Sequence, residues 1–183
     1  MVRVVHISDT HNQHEEITIP DGDIFIHSGD FCDRGTHDEY NAFDALLERL
    51  PHPHKVIVLG NHDTMGVAPP SSVRQARRWL PHATHILHTV NDKPVTICGL
   101  RIAGYCWGHK AQLVPPKLPA NLDILITHGP PFSIFDKTIT GQNIGSQKLL
   151  RALKVSSPRV CLFGHVHESY GKWCMPVSDD DAK

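Results

Sequence analysis

Strand-length runs of β-branched and apolar residues alternate with amphipathic stretches in the first half of the chain. The runs cover residues 2–7, 24–27 and 56–59 and are almost continuously apolar. Parallel strands covered on both faces have this pattern. After the second run, Thr36 and Glu39 have the spacing of a capping box, and an apolar stripe follows at helical spacing. The alternation predicts an α/β fold with a parallel sheet.

The pattern changes after a second predicted helix, which opens at Ser72 and closes near Pro81. Three short runs follow, at residues 85–87, 94–98 and 100–103. The last two are joined around Gly99 as in a hairpin, and we predict that all three are antiparallel strands of a second sheet. The remaining elements are a proline-rich loop, a strand, a helix and a last strand, at residues 111–119, 121–127, 146–154 and 159–163.

The composition favours one globular domain of ordinary polarity. The chain has 183 residues, of which 40% are hydrophobic and 20% charged, and a chain of this length buries roughly 70% of its unfolded surface. We predict a single domain over residues 1–171 and an acidic tail over 172–183. Because the net charge is only −1, nothing attracts the chain generally to nucleic acid or to anionic membranes. We therefore expect no nucleic-acid groove and no membrane partner.

The sequence also bears on the compartment. Its apolar runs are far shorter than the ~20 residues of a membrane span, and no signal-peptide pattern precedes the first strand. The five cysteines are an odd number without a CxxC pair. This usage favours reduced thiols and a cytoplasmic location. The oligomeric state is not predicted.

Five short polar motifs follow directly on predicted strands. They are Asp9-Thr10-His11, Gly29-Asp30, Gly60-Asn61-His62-Asp63, Thr127-His128-Gly129 and Gly164-His165-Val166-His167. In α/β sheets, ligands collect beyond the carboxyl ends of the strands, where such motifs meet. Any one of them alone is more typical of a turn or helix cap. Carboxylate, imidazole and amide groups together suit hard to borderline metal ions, so the five in series predict a two-metal hydrolytic centre.

Seven side chains are the predicted metal ligands. Those for one ion are Asp9, His11 and His167, those for the second are Asn61, His128 and His165, and Asp30 bridges the two. Two cations roughly 3.5–4 Å apart can share a hydroxide and stabilise both the attacking and the leaving oxygen of an in-line displacement.

The motifs, in this order over residues 2–168, resemble those of the calcineurin-like metallophosphoesterases. The segments 127–131 and 163–171 look more narrowly like a small-protein branch that includes the vertebrate brain-expressed metallophosphoesterase-domain proteins. The resemblance implies a four-layer α-β-β-α sandwich of two mixed sheets flanked by helices. It also implies phosphodiester hydrolysis, with cyclic nucleotides among the expected substrates. The family usually continues with more strand after the last histidine motif. A second sheet that is shortened at its C-terminal end is therefore one of the alternatives for this chain.

Two positions depart from that branch. Some of its members carry glycine where His165 stands, so the histidine favours a complete metal pair. Residues 29–35 look closer to the protein serine/threonine phosphatases, in which the arginine that matches Arg34 binds substrate phosphate. The resemblance therefore implies that Arg34 binds substrate, with bidentate contact to phosphate oxygens; the alternative is that its side chain points to solvent. The neutral amide of Asn61 can ligate either metal or phosphate without adding negative charge.

The predicted reaction is attack on phosphorus by a hydroxide that bridges the metals. His62 is the predicted general acid for the leaving alkoxide, and Asp33 is predicted to orient and charge it. The alternative is that His62 and Asp33 only form a supporting hydrogen-bonded pair. Asp63 is expected to fix its loop. Trp107 and His109 either line the pocket and stack on a base or pack elsewhere, and core packing is favoured for Trp107.

Ligands of mixed nitrogen and oxygen type, without thiolate, suit manganese, iron, cobalt, nickel or zinc. Manganese or iron is expected, mainly from the resemblance. The leading function is hydrolysis of a small phosphodiester or nucleotide substrate by a pair of divalent metal ions. One alternative, prompted by Asp33-Arg34-Gly35, is a phosphomonoesterase or protein phosphatase. The other is a catalytically weak scaffold that binds nucleotides.

Overall fold

Two four-stranded sheets form the centre of the fold. The computed structural model of the chain describes residues 1–64, 69, 71–88, 93–108 and 117–174. Helices cover the outer faces of both sheets, so the prediction of a four-layer α/β fold is confirmed. In the described part of the chain, no helix is long and apolar enough to cross a membrane.

The first sheet is parallel throughout its described strands. In spatial order they are β1 (Val4–Ile7), β2 (Ile24–His27), β3 (His54–Ile57) and β4 (His85–Ile86). A 3-10 turn (His14–Glu16) follows β1, and the helices of this half are α1 (His37–Arg49), α2 (Asn61–Thr64) and α3 (Ser71–Trp79).

The second sheet is mixed, as expected. Its order is β5 (Val95–Ile97), β6 (Leu100–Tyr105), β7 (Ile124–Thr127) and β8 (Val160–Leu162). The β5–β6 pair is antiparallel, whereas β6, β7 and β8 are parallel. Helix α4 (Gln147–Ser156) joins β7 to β8. Such a helical crossover returns the chain in the same direction, which makes the two strands parallel.

The prediction for residues 85–87 is wrong. These residues do not form an antiparallel strand of the second sheet: β4 pairs in parallel with β3 at the edge of the first sheet, with Val56 opposite His85 and Ile57 opposite Ile86. The physical reason is the crossover through α3, which brings the chain back beside β3 in the same direction. A two-residue strand has too little pattern to reveal its partner.

The capping box at the start of α1 is present as predicted. Thr36 Oγ1 accepts from the Glu39 amide, and the Glu39 carboxylate accepts from the Thr36 amide at 2.8 Å. The helix buries an apolar face against the first sheet, formed by Tyr40, Phe43, Leu46 and Leu47. These contacts fix α1, and with it the loop after β2 that carries three of the predicted site residues, Asp30, Asp33 and Arg34.

The second sheet separates two apolar clusters. Along β6, Ile102 belongs to the cluster between the sheets, whereas Ala103 and Tyr105 pack on the opposite side with Leu149 and Ala152 of α4. This alternation is the two-residue period of a strand covered on both faces.

Three expectations concern residues outside the described ranges. His109, most of the loop at 111–119 and most of the tail at 172–183 fall there, and the boundary at residue 171 stays a prediction. Up to residue 174, the described chain contains no strand after β8.

Candidate metal centre

The five motifs meet at one edge of the fold, beyond the carboxyl ends of β1, β2, β3, β7 and β8. Backbone hydrogen bonds join the loops there: the Asp9 amide donates to Gly29 at 2.9 Å, and the Gly164 amide donates to His128 at 2.8 Å. The His165 amide donates to the Asp9 carboxylate at 2.9 and 3.0 Å. Motifs that are far apart in sequence are therefore held together by direct contacts.

The first candidate ligand group is Asp9, His11 and His167, whose ligand atoms all lie within 4.8 Å of one another. His167 Nε2 lies 3.4 Å from Asp9 Oδ1. His11 Nδ1 lies 3.0 Å from the Asp33 carboxylate, while His11 Nε2 is buried and has no hydrogen-bond partner among the described residues. Because the Asp33 contact keeps the proton of His11 on Nδ1, Nε2 carries a lone pair, which it directs toward the other two members of the ligand group, Asp9 and His167. A metal ion would satisfy it.

The second group is Asp30, His128 and His165, also within 4.8 Å. The His128 Nδ1 atom lies 3.0 Å from the Ser28 carbonyl, which can only accept, so Nδ1 carries a proton. Nε2 lies 3.1 Å from Asp30 Oδ2, 3.0 Å from Asn61 Oδ1 and 3.2 Å from His165 Nδ1. A proton on Nε2 can serve one of these contacts, whereas a metal ion could take all of these atoms as ligands. The residues therefore fit a metal ion.

The charges of this group have clear physical causes. Burial lowers the pKa of His165 to about 4, helped by the charge of His128, so the His165 ring is neutral at pH 7. Burial also disfavours charge on His128, but the hydrogen bond and charge of Asp30 outweigh it and raise the pKa of His128. For Asp30, the same contact outweighs burial and lowers the pKa. Asp30 is therefore an ionised carboxylate.

Asp30 lies between the two groups. Its Oδ2 atom is 3.1 Å from His128 Nε2 and 4.0 Å from His11 Nε2, one nitrogen from each group. Its Oδ1 accepts from the His62 amide at 2.8 Å. This is the position that a bridging ligand needs.

The Asp63 carboxylate fixes the loops around Asp30, as expected. It accepts from the amides of Asp30 (2.7 Å), Gly60 (2.8 Å) and Cys32 (3.0 Å). Burial raises the pKa of Asp63, and the neighbouring Asp30 charge raises it further. The Asp63 carboxylate therefore binds backbone amides and is not one of the candidate metal ligands.

Two motif glycines are needed because ligand carboxylates pass close to them. A Cβ on Gly60 would overlap Asp30 Oδ1, and a Cβ on Gly164 would overlap Asp9 Oδ2. The glycines that precede Asn61 and His165 in their motifs are therefore steric requirements of the site.

Four of the predicted ligands adopt left-handed backbone, which non-glycine residues seldom do. They are Asp9 (φ 56°), His11 (φ 41°), Asp30 (φ 56°) and His165 (φ 75°). Strained backbone of this kind concentrates at functional sites, where the surrounding contacts enforce it.

His62 lies beside the first group, with its ring 4.8 Å from that of His11 in an edge-on arrangement. The prediction that the Asp33 carboxylate orients His62 is wrong. That carboxylate contacts His11 and Asn12, and His62 Nδ1 lies 2.6 Å from the backbone carbonyl of Asp33 instead. The carbonyl still fixes the ring and keeps Nδ1 protonated, but it adds no negative charge.

The predicted substrate-binding residues are placed differently from each other. A cavity of about 650 Å³ is lined by Asp9, Thr10, His11, Gln13, Asp30, Asn61, His62, His165, His167 and Glu168. Asn61 is among them. Arg34 is exposed and is absent from this lining, so its role in binding substrate stays a prediction.

Three residues of the cavity lining, Thr10, Gln13 and Glu168, are not among the predicted site residues. Glu168 follows directly on the last histidine motif, which is the available signal. Trp107, for which core packing is favoured, is half-buried, and its ring lies 4.6 Å from that of His165. Its place beside His165 depends on the path of the loop after β6, which no local pattern predicts.

The fold and the paired ligand groups are those of a metallophosphoesterase. Residues 2–169 match the sequence model of the calcineurin-like phosphoesterase family, and the chain belongs to this family. The resemblance inferred from the five motifs is thereby confirmed. The family implies divalent metal ions and supports a phosphoester hydrolase.

Relatives of known name cover most of the chain. It is 31% identical to human metallophosphoesterase domain-containing protein 1 (92% of this chain, 61% of that protein) and 33% identical to a UPF0046 protein of Caenorhabditis elegans (93% and 65%). It is 30% identical to a probable glycerophosphodiester phosphodiesterase of Arcobacter nitrofigilis (81% and 58%). The chain thus spans less than two thirds of the length of these relatives.

Solved structures share the fold at low sequence identity. One crystal structure has a TM-score of 0.66 at 16% identity and covers 93% of this chain and 86% of its own. A phosphopantetheinyl hydrolase from Mycobacterium tuberculosis has a TM-score of 0.58 at 17% identity, covering 93% and 85%. Identities this low support the fold alone.

Proposed function

We propose that this chain hydrolyses small phosphodiesters, cyclic nucleotides included, with two divalent metal ions held by the two ligand groups. The observation that carries the proposal is the convergence of Asp30 Oδ2 and Asn61 Oδ1 on His128 Nε2, close to the His11 Nε2 atom, which has no hydrogen-bond partner among the described residues. Manganese or iron is the proposed pair, and a cytoplasmic location goes with the proposal.

Divalent ions bound there would supply Lewis acidity toward phosphate oxygens and would lower the pKa of water. The role we assign to His62 is to protonate the leaving oxygen from Nε2, since Nδ1 is engaged by the Asp33 carbonyl at 2.6 Å. Asn61 would hold metal or a phosphate oxygen through its amide, without adding charge against an anionic substrate.

Two observations favour a diester over a monoester. A relative at 30% identity is named a probable glycerophosphodiester phosphodiesterase. The arginine that prompted the phosphatase alternative lies outside the cavity lining.

The test compares a diester with a monoester. Protein reconstituted with Mn²⁺ should hydrolyse bis-p-nitrophenyl phosphate faster than p-nitrophenyl phosphate, and chelation should abolish both activities. Preference for the monoester would favour the phosphatase alternative. Turnover of neither would favour the binding scaffold and would contradict the proposal.

The role of His62 is tested by varying the leaving group. His62→Gln should lower kcat about 100-fold or more for a diester that releases phenol, and much less for one that releases p-nitrophenol, because loss of a general acid costs ~10²–10⁴ in rate and matters least for an activated leaving group. His37→Gln, at an exposed histidine of α1, is the matched control. Equal losses with both leaving groups would exclude His62 as the acid.

A further inference from the structure

The segment between the candidate ligand His128 and α4 forms an ordered arch, residues 131–146. Its limbs are joined by bridges between Pro131 and Ser146 and between Lys137 and Asn143. At the tip the Thr138 amide donates to the Gln142 carbonyl at 2.9 Å. The arch is therefore held by its own backbone pairing.

One buried carboxylate organises the arch from within. Asp136 is 1% exposed and accepts from the amides of Ser133 and Gly145, both at 2.9 Å, and from Asn143 Nδ2 at 2.7 Å. These bonds give the tip a defined backbone conformation, so the Cα positions of the residues at the tip are fixed relative to the rest of the arch.

The tip is tied to the chain that follows the last histidine motif. Glu168 Oε1 accepts from the Ile139 amide at 2.9 Å, and Ser169 Oγ donates to the Lys137 carbonyl at 2.8 Å. Glu168 also lines the cavity of the metal centre, directly after His167. The arch tip thus lies one hydrogen bond from the wall of that cavity.

The Ile139 side chain at this tip is 88% exposed. Every residue that lines the cavity is polar or charged. Ile139 is therefore an exposed apolar side chain whose backbone is hydrogen-bonded to a residue that lines the polar cavity.

We propose that Ile139 determines substrate specificity by contacting an apolar ester group of the phosphodiester. This is the group that stays on phosphorus when the leaving group departs. The inference rests on the proposed function and refines it: the preferred substrates are diesters with an aromatic or otherwise apolar group on that side. Glu168 is the positioning residue, since its carboxylate joins the arch tip, through the Ile139 amide, to the wall of the cavity.

The test uses two diesters with the same leaving group, bis-p-nitrophenyl phosphate and methyl p-nitrophenyl phosphate. Ile139→Ser should raise KM for the first about three- to tenfold, because one or two buried carbon groups are lost from the contact. KM for the methyl diester and the metal content should not change. Val155→Ser, at an exposed apolar residue of α4, is the matched control. Unchanged values for both diesters, or equal changes for both, would overturn the proposal.

The anchor is tested with a pair of variants. Glu168→Ala should shift the KM ratio of the two diesters in the same direction as Ile139→Ser, whereas Glu168→Gln should largely restore it, because its side-chain carbonyl still accepts from the Ile139 amide. Equal shifts for both variants would contradict the anchoring role.

A binding measurement separates this inference from the proposed function. Calorimetry with diphenyl and dimethyl phosphate on Mn²⁺-loaded protein should show a preference for the diphenyl ester, which Ile139→Ser reduces. If the parent protein hydrolyses no diester but keeps this preference, only the proposed function fails. If it hydrolyses both diesters and Ile139→Ser leaves the binding preference intact, only the specificity role fails.

Discussion

At the level of single residues, the candidate metal centre brings together several lone pairs of nitrogen and oxygen atoms. His128 donates through Nδ1 to a carbonyl, and its Nε2 atom lies within 3.1 Å of the Asp30 carboxylate and the Asn61 oxygen. A proton on Nε2 can serve one of these contacts. A metal ion can accept electron pairs from the nitrogen and both oxygens, which is why this local geometry supports metal binding more strongly than residue types alone.

The left-handed backbone of His165 (φ 75°) gives a prediction at this scale. In chelator-treated protein, His165→Gly should be more stable than His165→Ala by about 1 kcal/mol, because only glycine adopts this conformation without strain. The two variants lose the same imidazole, so their difference isolates the backbone.

Thermal unfolding of the two proteins measures that difference. Greater stability of the alanine variant would contradict the assignment, because alanine is favoured over glycine where backbone φ is negative. A more stable glycine variant would also account for the glycine that some members of the small-protein branch carry at the position of His165.

At the scale of elements, α1 does more than its capping box predicts. The Glu39 carboxylate that caps the helix also accepts from the Asp33 amide at 3.1 Å and from Asn12 Nδ2 at 2.7 Å. It therefore joins the helix start to the loops after β1 and β2. The capping box can be predicted from the sequence, since Thr36 and Glu39 are only three residues apart. The contact between Glu39 and Asn12 cannot be predicted in this way, because it depends on how β1 and β2 pair.

Glu39 should make stability depend on acid. Partial burial opposes charge on Glu39, but its hydrogen bonds, first those of Thr36 and Asn12, lower its pKa from 4.5 to about 2. The stabilisation is complete above the unfolded pKa and is lost as pH falls from about 4.5 to about 2. Glu39→Gln should thus make the fall in melting temperature over this window shallower, and should cost about 1 kcal/mol at pH 7.

Asp38→Asn is the control, since it removes a neighbouring charge from the same helical turn. Melting temperatures measured from pH 6 to pH 2.5 provide the comparison. An acid dependence of Glu39→Gln as steep as that of the parent would show that Glu39 is not the group responsible.

At the scale of the whole molecule, the sequence predicted what local pattern encodes. Continuous apolar runs and helical stripes identified the strands of the first sheet up to β3, together with α1, α3 and α4. They also put all five motifs at strand ends. The partner of β4 and the contact made by the Asp33 carboxylate were missed, because both depend on packing between distant segments. Pairing and hydrogen-bond direction are properties of the assembled fold.

The seven predicted ligands should hold two divalent ions side by side, and anomalous diffraction from crystals grown with Mn²⁺ would locate both. We expect two peaks roughly 3.5–4 Å apart, one at Asp9, His11 and His167 and the other at Asn61, His128 and His165, with Asp30 touching both. A single peak, or peaks away from these side chains, would contradict this arrangement.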